Sequence, residues 1–355
     1  MKITKVKSWV ESLGLKTPYT IAYQTIDSVE NAFVLLETDD GTLGLGAGAP
    51  AEFITGESMQ SCREALETHL EELLLGQDLR HFYALLRKLE DALALNPAAR
   101  AAADMALHDL AAKQLGLPLV ELLGRVHESL PTSVTIGIMS PEEAVERARE
   151  YVRQGFGILK LKTGQSVEQD LETVRKVREA VGSEIKIRVD ANQGYSVETL
   201  RRLAEQADAL QVEFVEQPLP AGEETEMLLV PEGVRRRCAA DESLHTPADA
   251  LQLVARPHAF GIFNIKLMKC GGIHPALQIA AIAHLAGIEL MWGCMDESRV
   301  SIAAALHAAL ACPATRYLDL DGSFDLARDL AAGGFGLENG RLRPADRPGL
   351  GVELV

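Results

Sequence analysis

Apolar and polar positions divide the chain into two rhythms. Near the start, Ala32-Phe33-Val34-Leu35-Leu36-Glu37-Thr38 reads as a strand, Asp39-Asp40-Gly41 as a turn, and 42–48 as the returning strand. The first fifty residues are therefore expected to form an antiparallel meander. From Ser58 to Leu123 apolar residues recur at three- and four-residue spacing, which predicts helices over 62–75, 81–95 and 98–115. The alanine-rich third segment suggests a closely packed helix, ended by Gly116-x-Pro118. Asp104 and His108 lie four apart on one face of it and are expected to share a buried hydrogen bond.

After Leu130 short β-rich runs alternate with helical ones. Strands are expected at 133–138, 157–162, 185–190, 212–216, 238–241, 262–267, 288–292 and 317–321. Helices are expected between them, as at 141–154, 167–181, 197–207, 247–253, 275–286 and 299–311. That alternation is the mark of an α/β fold closed into a (β/α)8-type (modified TIM) barrel. The expected organisation is an N-terminal α+β capping domain over 1–125 and the barrel over 126–332. A C-terminal segment, 333–355, has lost the rhythm and is expected to return to the capping domain.

One local motif points elsewhere and is set aside. Gly44-x-Gly46-x-x-Ala49 superficially fits a dinucleotide fingerprint. That fingerprint needs a strand before it and a long helix opening directly after it. Here the glycines fall in the returning strand of a hairpin, and Pro50 follows.

Composition narrows the partners. The 355 residues carry 35 basic and 51 acidic side chains, a formal net charge of −16. No basic stripe suits a nucleic-acid backbone, and 5% aromatic residues are too few for base-stacking platforms. An acidic surface is also repelled by anionic lipid, and no apolar run approaches a membrane span. The N-terminus shows no signal-peptide pattern. Five dispersed cysteines without a CxxC pair suggest neither a disulfide framework nor a zinc site, so a reduced, cytoplasmic setting is expected.

The informative chemistry lies where the barrel strands end. Leu159-Lys160-Leu161-Lys162, Ile187-Arg188-Val189-Asp190, Phe214-Val215-Glu216, Ala239-Ala240-Asp241 and Phe263-Asn264-Ile265-Lys266 each finish on a charge. The terminal charges follow one another at the interval of one barrel unit, so they are expected at one height on the active-site face. Any one of them could simply cap a strand at the solvent boundary. The set is harder to explain that way, because three carboxylates on adjacent strands need a compensating cation. Oxygen donors without cysteine or histidine suit magnesium, with manganese as the alternative. Lysines on either side of that cluster are what removing a proton and returning it to the opposite face requires. A metal beside them would bind a substrate carboxylate, hold enolate charge and help depress a lysine's pKa.

Together, the Lys-x-Lys pair, Val189-Asp190-Ala191-Asn192, Val215-Glu216-Gln217-Pro218, Ala240-Asp241-Glu242-Ser243 and Asn264-Ile265-Lys266 resemble the enolase superfamily. Within it they are most similar to the muconate-lactonizing subgroup, over nearly the whole chain. The resemblance implies Asp190, Glu216 and Asp241 as magnesium ligands and Lys162 and Lys266 as the acid/base pair. It places Lys160 near the substrate carboxylate. Asp319-Leu320-Asp321 on the eighth strand resembles the Asp-x-Asp of the subgroup's dipeptide epimerases. Two carboxylates there could clamp the α-ammonium of a free dipeptide. Thr135, on the first barrel strand, is counted among the expected substrate contacts.

Capping-domain loops near 17–26 and 49–56 are implied to cover the substrate. Epimerases for Ala-Glu place an arginine in the first loop, and Gln24 stands at the position aligned with it here. Glu52 in the second loop and Asp296 after the seventh strand add acids around the mouth, unless they are plain surface charges. The expected reaction is magnesium-dependent epimerisation of dipeptides, hydrophobic or cationic, with cationic slightly favoured. The same machinery could serve an N-acylamino-acid racemase, an o-succinylbenzoate synthase or a muconate cycloisomerase. A non-catalytic barrel is the rival of another class. Related barrels often assemble, so a homo-oligomer is allowed.

Overall fold

The protein is described from a computed structural model covering residues 1–16, 18–20 and 25–355. Ile3–Ser12, Glu30–Thr38 and Leu43–Gly48 form an antiparallel sheet in that order. Helices Met59–Leu74, Phe82–Ala92 and Pro97–Gln114 follow. Ser58 starts the first of them, exchanging hydrogen bonds with Ser61 in a capping box.

The glycines of the third strand have a packing role. A Cβ on Gly44, Gly46 or Gly48 would fall on a carbonyl oxygen of Ala106, Ala102 or Ala98 respectively. Glycine every second residue on the strand and alanine every fourth on the helix let the two backbones touch. The expected Asp104–His108 bond is present, with His108 Nδ1 2.8 Å from the Asp104 carbonyl. The Asp104 carboxylate also accepts the Ile273 amide at 2.6 Å, capping helix Ile273–Ala286 of the barrel.

Eight parallel strands make the barrel: Val134–Ile136, Ile158–Lys162, Lys186–Asp190, Val212–Glu216, Cys238–Ala240, Ile262–Ile265, Glu289–Trp292 and Thr315–Leu318. Each neighbours the next in chain order. A parallel bridge between Thr132 and Leu318 brings the first strand against the eighth. Because side chains alternate along a strand, every second residue points inward. Phe214, Ala239, Ile262 and Met291 form a buried cluster of their own, with Tyr317 packed against it. Two residues further along these strands come Glu216, Asp241, Asn264 and Asp319, so an apolar plug gives way to a charged layer.

Two features differ from the expected pattern. The eighth strand is not followed by a helix; after Leu318 the chain runs by a loop to Ala331–Gly333. Several strands are also shorter than their apolar runs, leaving Asp241, Lys266, Asp319 and Asp321 beyond the last paired residue. In the tail, Ala331–Gly333 pairs with Val352–Leu354, and Arg341–Pro344 pairs with Phe335–Glu338 and Leu130–Pro131. Leu350 N–H donates to Asp109 of the alanine-rich helix at 2.7 Å. Among the described residues, no helix is long and apolar enough to cross a membrane.

Candidate active site

Strand register sets the site. Lys162 is the direct partner of Asp190, and Asp190 of Glu216, so these three residues share one level. Glu216 pairs with Ala239, which puts Asp241 two residues higher on its own strand. Staggered register is what tilted barrel strands require, and the groups still meet at one mouth. Lys162 Nζ donates to Asp190 Oδ2 at 2.7 Å and to Asn192 Oδ1 at 3.1 Å. Across the mouth, Lys266 Nζ donates to Asp241 Oδ2 at 2.7 Å. Lys160 Nζ lies between them, 3.2 Å from Glu216 Oε2, 3.3 Å from Asp190 Oδ2 and 2.5 Å from Asp319 Oδ2.

Burial makes these charges interact strongly. Burial and the neighbouring Asp190 push the Glu216 carboxyl up to about 8. Burial alone would raise Asp190 and Asp241 too, but lysines on each hold both below the usual carboxylate range. Burial likewise acts to lower Lys160 and Lys266, and their carboxylate partners outweigh it and raise both. The nearest charges to both lysines are these carboxylates.

Asp319 and Asp321 divide the eighth-strand end. Asp319 is held by Lys160 and by Ser133 Oγ at 2.5 Å. Asp321 accepts the Thr135 amide at 2.7 Å, and burial beside Asp319 pushes it up to about 7.

A cavity of about 450 Å³ opens over these groups. Thr135, Lys160, Lys162, Lys266, Asp319 and Asp321 line it, as does Asp296. Glu30 and Asp325 bring further acids to the wall, and Phe53, Ile54 and Met139 an apolar side. Glu52 is not brought in: it is exposed at the start of helix Glu52–Thr55, and Phe53 and Ile54 face the cavity instead. Gln24 lies outside the described residues.

Several participants were given no role from the sequence, although Gln217 and Asn264 stand in its motifs. Lys269 is buried and donates to Asp241 Oδ1 at 2.5 Å and to the Asn264 carbonyl at 3.1 Å. Asn264 Nδ2 donates to Glu216 Oε1 at 2.7 Å. Gln217 has a left-handed φ of 31°, and its side chain accepts the Asp241 amide at 2.8 Å. Asn264 could have been found from its place two residues before Lys266 on an inward-facing strand. Lys269 follows the strand in helix Leu267–Cys270 and has no such signal.

The donor set can be tested against a metal. Among the described residues, no three His, Cys, Asp or Glu side chains are grouped closely enough to hold an ion as they stand. The chemistry nonetheless fits a hard dication. Asp190, Glu216 and Asp241 are buried carboxylates close enough to raise one another's pKa. With Glu242, Asp319 and Asp321 they outnumber the ammonium groups of Lys160, Lys162, Lys266 and Lys269 by two.

Known proteins resemble this chain over nearly its whole length. Residues 3–124 match the mandelate racemase / muconate lactonizing enzyme N-terminal domain, and 143–355 match the enolase C-terminal domain-like family. The chain belongs to the enolase superfamily. Within this superfamily it is 58% identical to an L-Lys-D/L-Arg epimerase of Desulforapulum autotrophicum, over 100% of both chains. It is 38% identical to an L-Ala-D/L-Glu epimerase of Clostridium acetobutylicum, covering 97% of this chain and 96% of that one. The crystal structure of a dipeptide epimerase from Methylococcus capsulatus, complexed with Mg and L-Arg-D-Lys, superposes with a TM-score of 0.98. Its identity is 56%, and 99% of each chain is covered.

Proposed function

We propose that this protein is a magnesium-dependent dipeptide epimerase that inverts the α-carbon of the C-terminal residue and prefers cationic dipeptides. The observation that carries the reaction is the placement of Lys162 and Lys266 on separate carboxylates, Asp190 and Asp241, both facing one cavity. Relatives named L-Lys-D/L-Arg epimerase, and one crystallised with L-Arg-D-Lys, support the substrate class.

Asp190, Glu216 and Asp241 would hold the metal, with manganese as the alternative. Bound there, the ion would grip the substrate carboxylate and offset the charge that grows on it when the α-proton leaves. Lys162 and Lys266 stand on opposite sides of the cluster; one takes the α-proton and the other delivers a proton to the opposite face. Lys160 adds positive charge beside the reacting carboxylate. Asp319 and Asp321 receive the α-ammonium, while Thr135 holds Asp321 through its backbone amide. Asp296, with Glu30 and Asp325, supplies negative charge for a cationic side chain. The division at 125 and 332 belongs to this reading, as does a reducing cytoplasmic setting for the five free cysteines.

The test is deuterium incorporation from D₂O across a dipeptide library with magnesium present. Lys- and Arg-containing dipeptides are expected to exchange fastest. Faster exchange on Ala-Glu would overturn the cationic preference, and no exchange on any dipeptide would overturn the reaction.

A further inference from the structure

Beneath the charged layer lies a polar relay that the reaction above does not use. Arg188 is on the third barrel strand, two residues before Asp190, and is 1% exposed. Its guanidinium carbon lies 5.1 Å from the ring centres of both Phe214 and Tyr317. Nε donates to Glu213 Oε2 at 2.8 Å. Nη1 donates to the Leu318 carbonyl at 2.8 Å and to Ser133 Oγ at 3.2 Å.

The polarity of this chain is fixed by chemistry. A guanidinium only donates, so Ser133 Oγ accepts from Arg188 and its single proton is left for another acceptor. Two are in reach: the Leu318 carbonyl at 3.2 Å and Asp319 Oδ1 at 2.5 Å. Asp319 is nearer and charged, so it takes the proton. Its other oxygen is taken by Lys160. The arginine is informative because the cluster it packs against, Phe214 and Tyr317 among it, is apolar, and an apolar residue would fill the space without the cost of burying a charge.

We propose that Arg188 and Ser133 are positioning residues that fix the Asp319 carboxylate for the substrate's α-ammonium. The inference rests on the reading of this protein as a dipeptide epimerase. With Ser133 in place, both Asp319 oxygens have set partners and the carboxylate plane cannot turn. Without it, Oδ1 is unpinned and the carboxylate can rotate about the Lys160 contact.

The test compares Lys-Arg as substrate with Nα-acetyl-Lys-Arg, which lacks the α-ammonium but keeps both side-chain charges, as a competing ligand. Ser133→Ala is expected to raise KM for Lys-Arg roughly tenfold with little change in kcat, the loss of one hydrogen bond to a charged group. The inhibition constant of Nα-acetyl-Lys-Arg stays the same, and Ser133→Thr, which keeps the hydroxyl, restores KM. Arg188→Lys has the same signature, and the double variant is no worse than the poorer single, because both act through one bond. Arg188→Lys reports alone if Ser133→Ala does not fold. An unchanged KM, equal weakening of both ligands, or additive effects would overturn the relay while leaving the reaction intact. A wild-type protein inactive on every dipeptide would overturn both.

Discussion

Lys162 Nζ stands 2.7 Å from Asp190 Oδ2, and the two residues are direct partners across the second and third barrel strands. Lys266 has the same 2.7 Å relation to Asp241 on the far side of the mouth. A proton acceptor on each side gives different outcomes for one-sided damage. Lys266→Ala is expected to lower epimerisation of either epimer by at least ~10³-fold, within the range of positioned acid/base groups. Exchange of one epimer's α-proton with D₂O should survive at Lys162. Mass spectrometry of each epimer in D₂O checks this, and undiminished turnover would reject the two-base reaction.

Removing the metal should affect stability as well as activity. With chelator, activity is lost, and added magnesium restores it. Magnesium also stabilises the folded chain, by ~2.7 kcal/mol at a hundredfold excess over its Kd. Glu216→Gln removes one proposed ligand, so its melting temperature should respond far less to magnesium. An equal magnesium shift in that variant would exclude Glu216 as a ligand.

Asp296 and Glu52 make opposite predictions from similar chemistry. Asp296 lines the cavity, whereas Glu52 is exposed and outside it. Asp296→Asn should raise KM for Lys- and Arg-containing dipeptides roughly tenfold and leave neutral dipeptides nearly unchanged. Glu52→Gln should alter neither by more than about threefold, as expected of a solvent-screened charge. Steady-state kinetics on one cationic and one neutral dipeptide separate the two.

Away from the site, His307 predicts a pH dependence of stability. It lies in helix Arg299–Leu310, and its Nδ1 accepts the Val120 amide at 2.9 Å. Burial pushes it down to about 4 from 6.5. The unfolded chain therefore binds this proton first, so the contribution is fully present above pH 6.5 and is lost as pH falls towards 4. The expected loss over that window is about 3 kcal/mol. Denaturant unfolding at both ends checks it against His307→Gln, which should flatten that part of the profile. An equal slope in the variant would assign the effect to other groups.

Much of this protein was determined by its sequence alone. Alternation in eight apolar runs and three-to-four spacing between them specify barrel strands and helices, because those periods are set by backbone geometry. The same regularity put a charge at the end of five successive strands, so the carboxylate trio and both lysines could be read before any coordinates. Tertiary structure decided what depends on neighbours distant in the chain. It turned Gly44, Gly46 and Gly48 towards an alanine helix fifty or more residues away, a contact no local motif encodes. It brought Ser133 to Asp319 and Arg188 to Ser133 and the Leu318 carbonyl, because barrel closure joins the first strand to the eighth. It left Glu52 outside the cavity because the short helix it starts turns Phe53 and Ile54 inward. Periodicity fixes which face a residue takes, but only closure of the barrel fixes what that face meets.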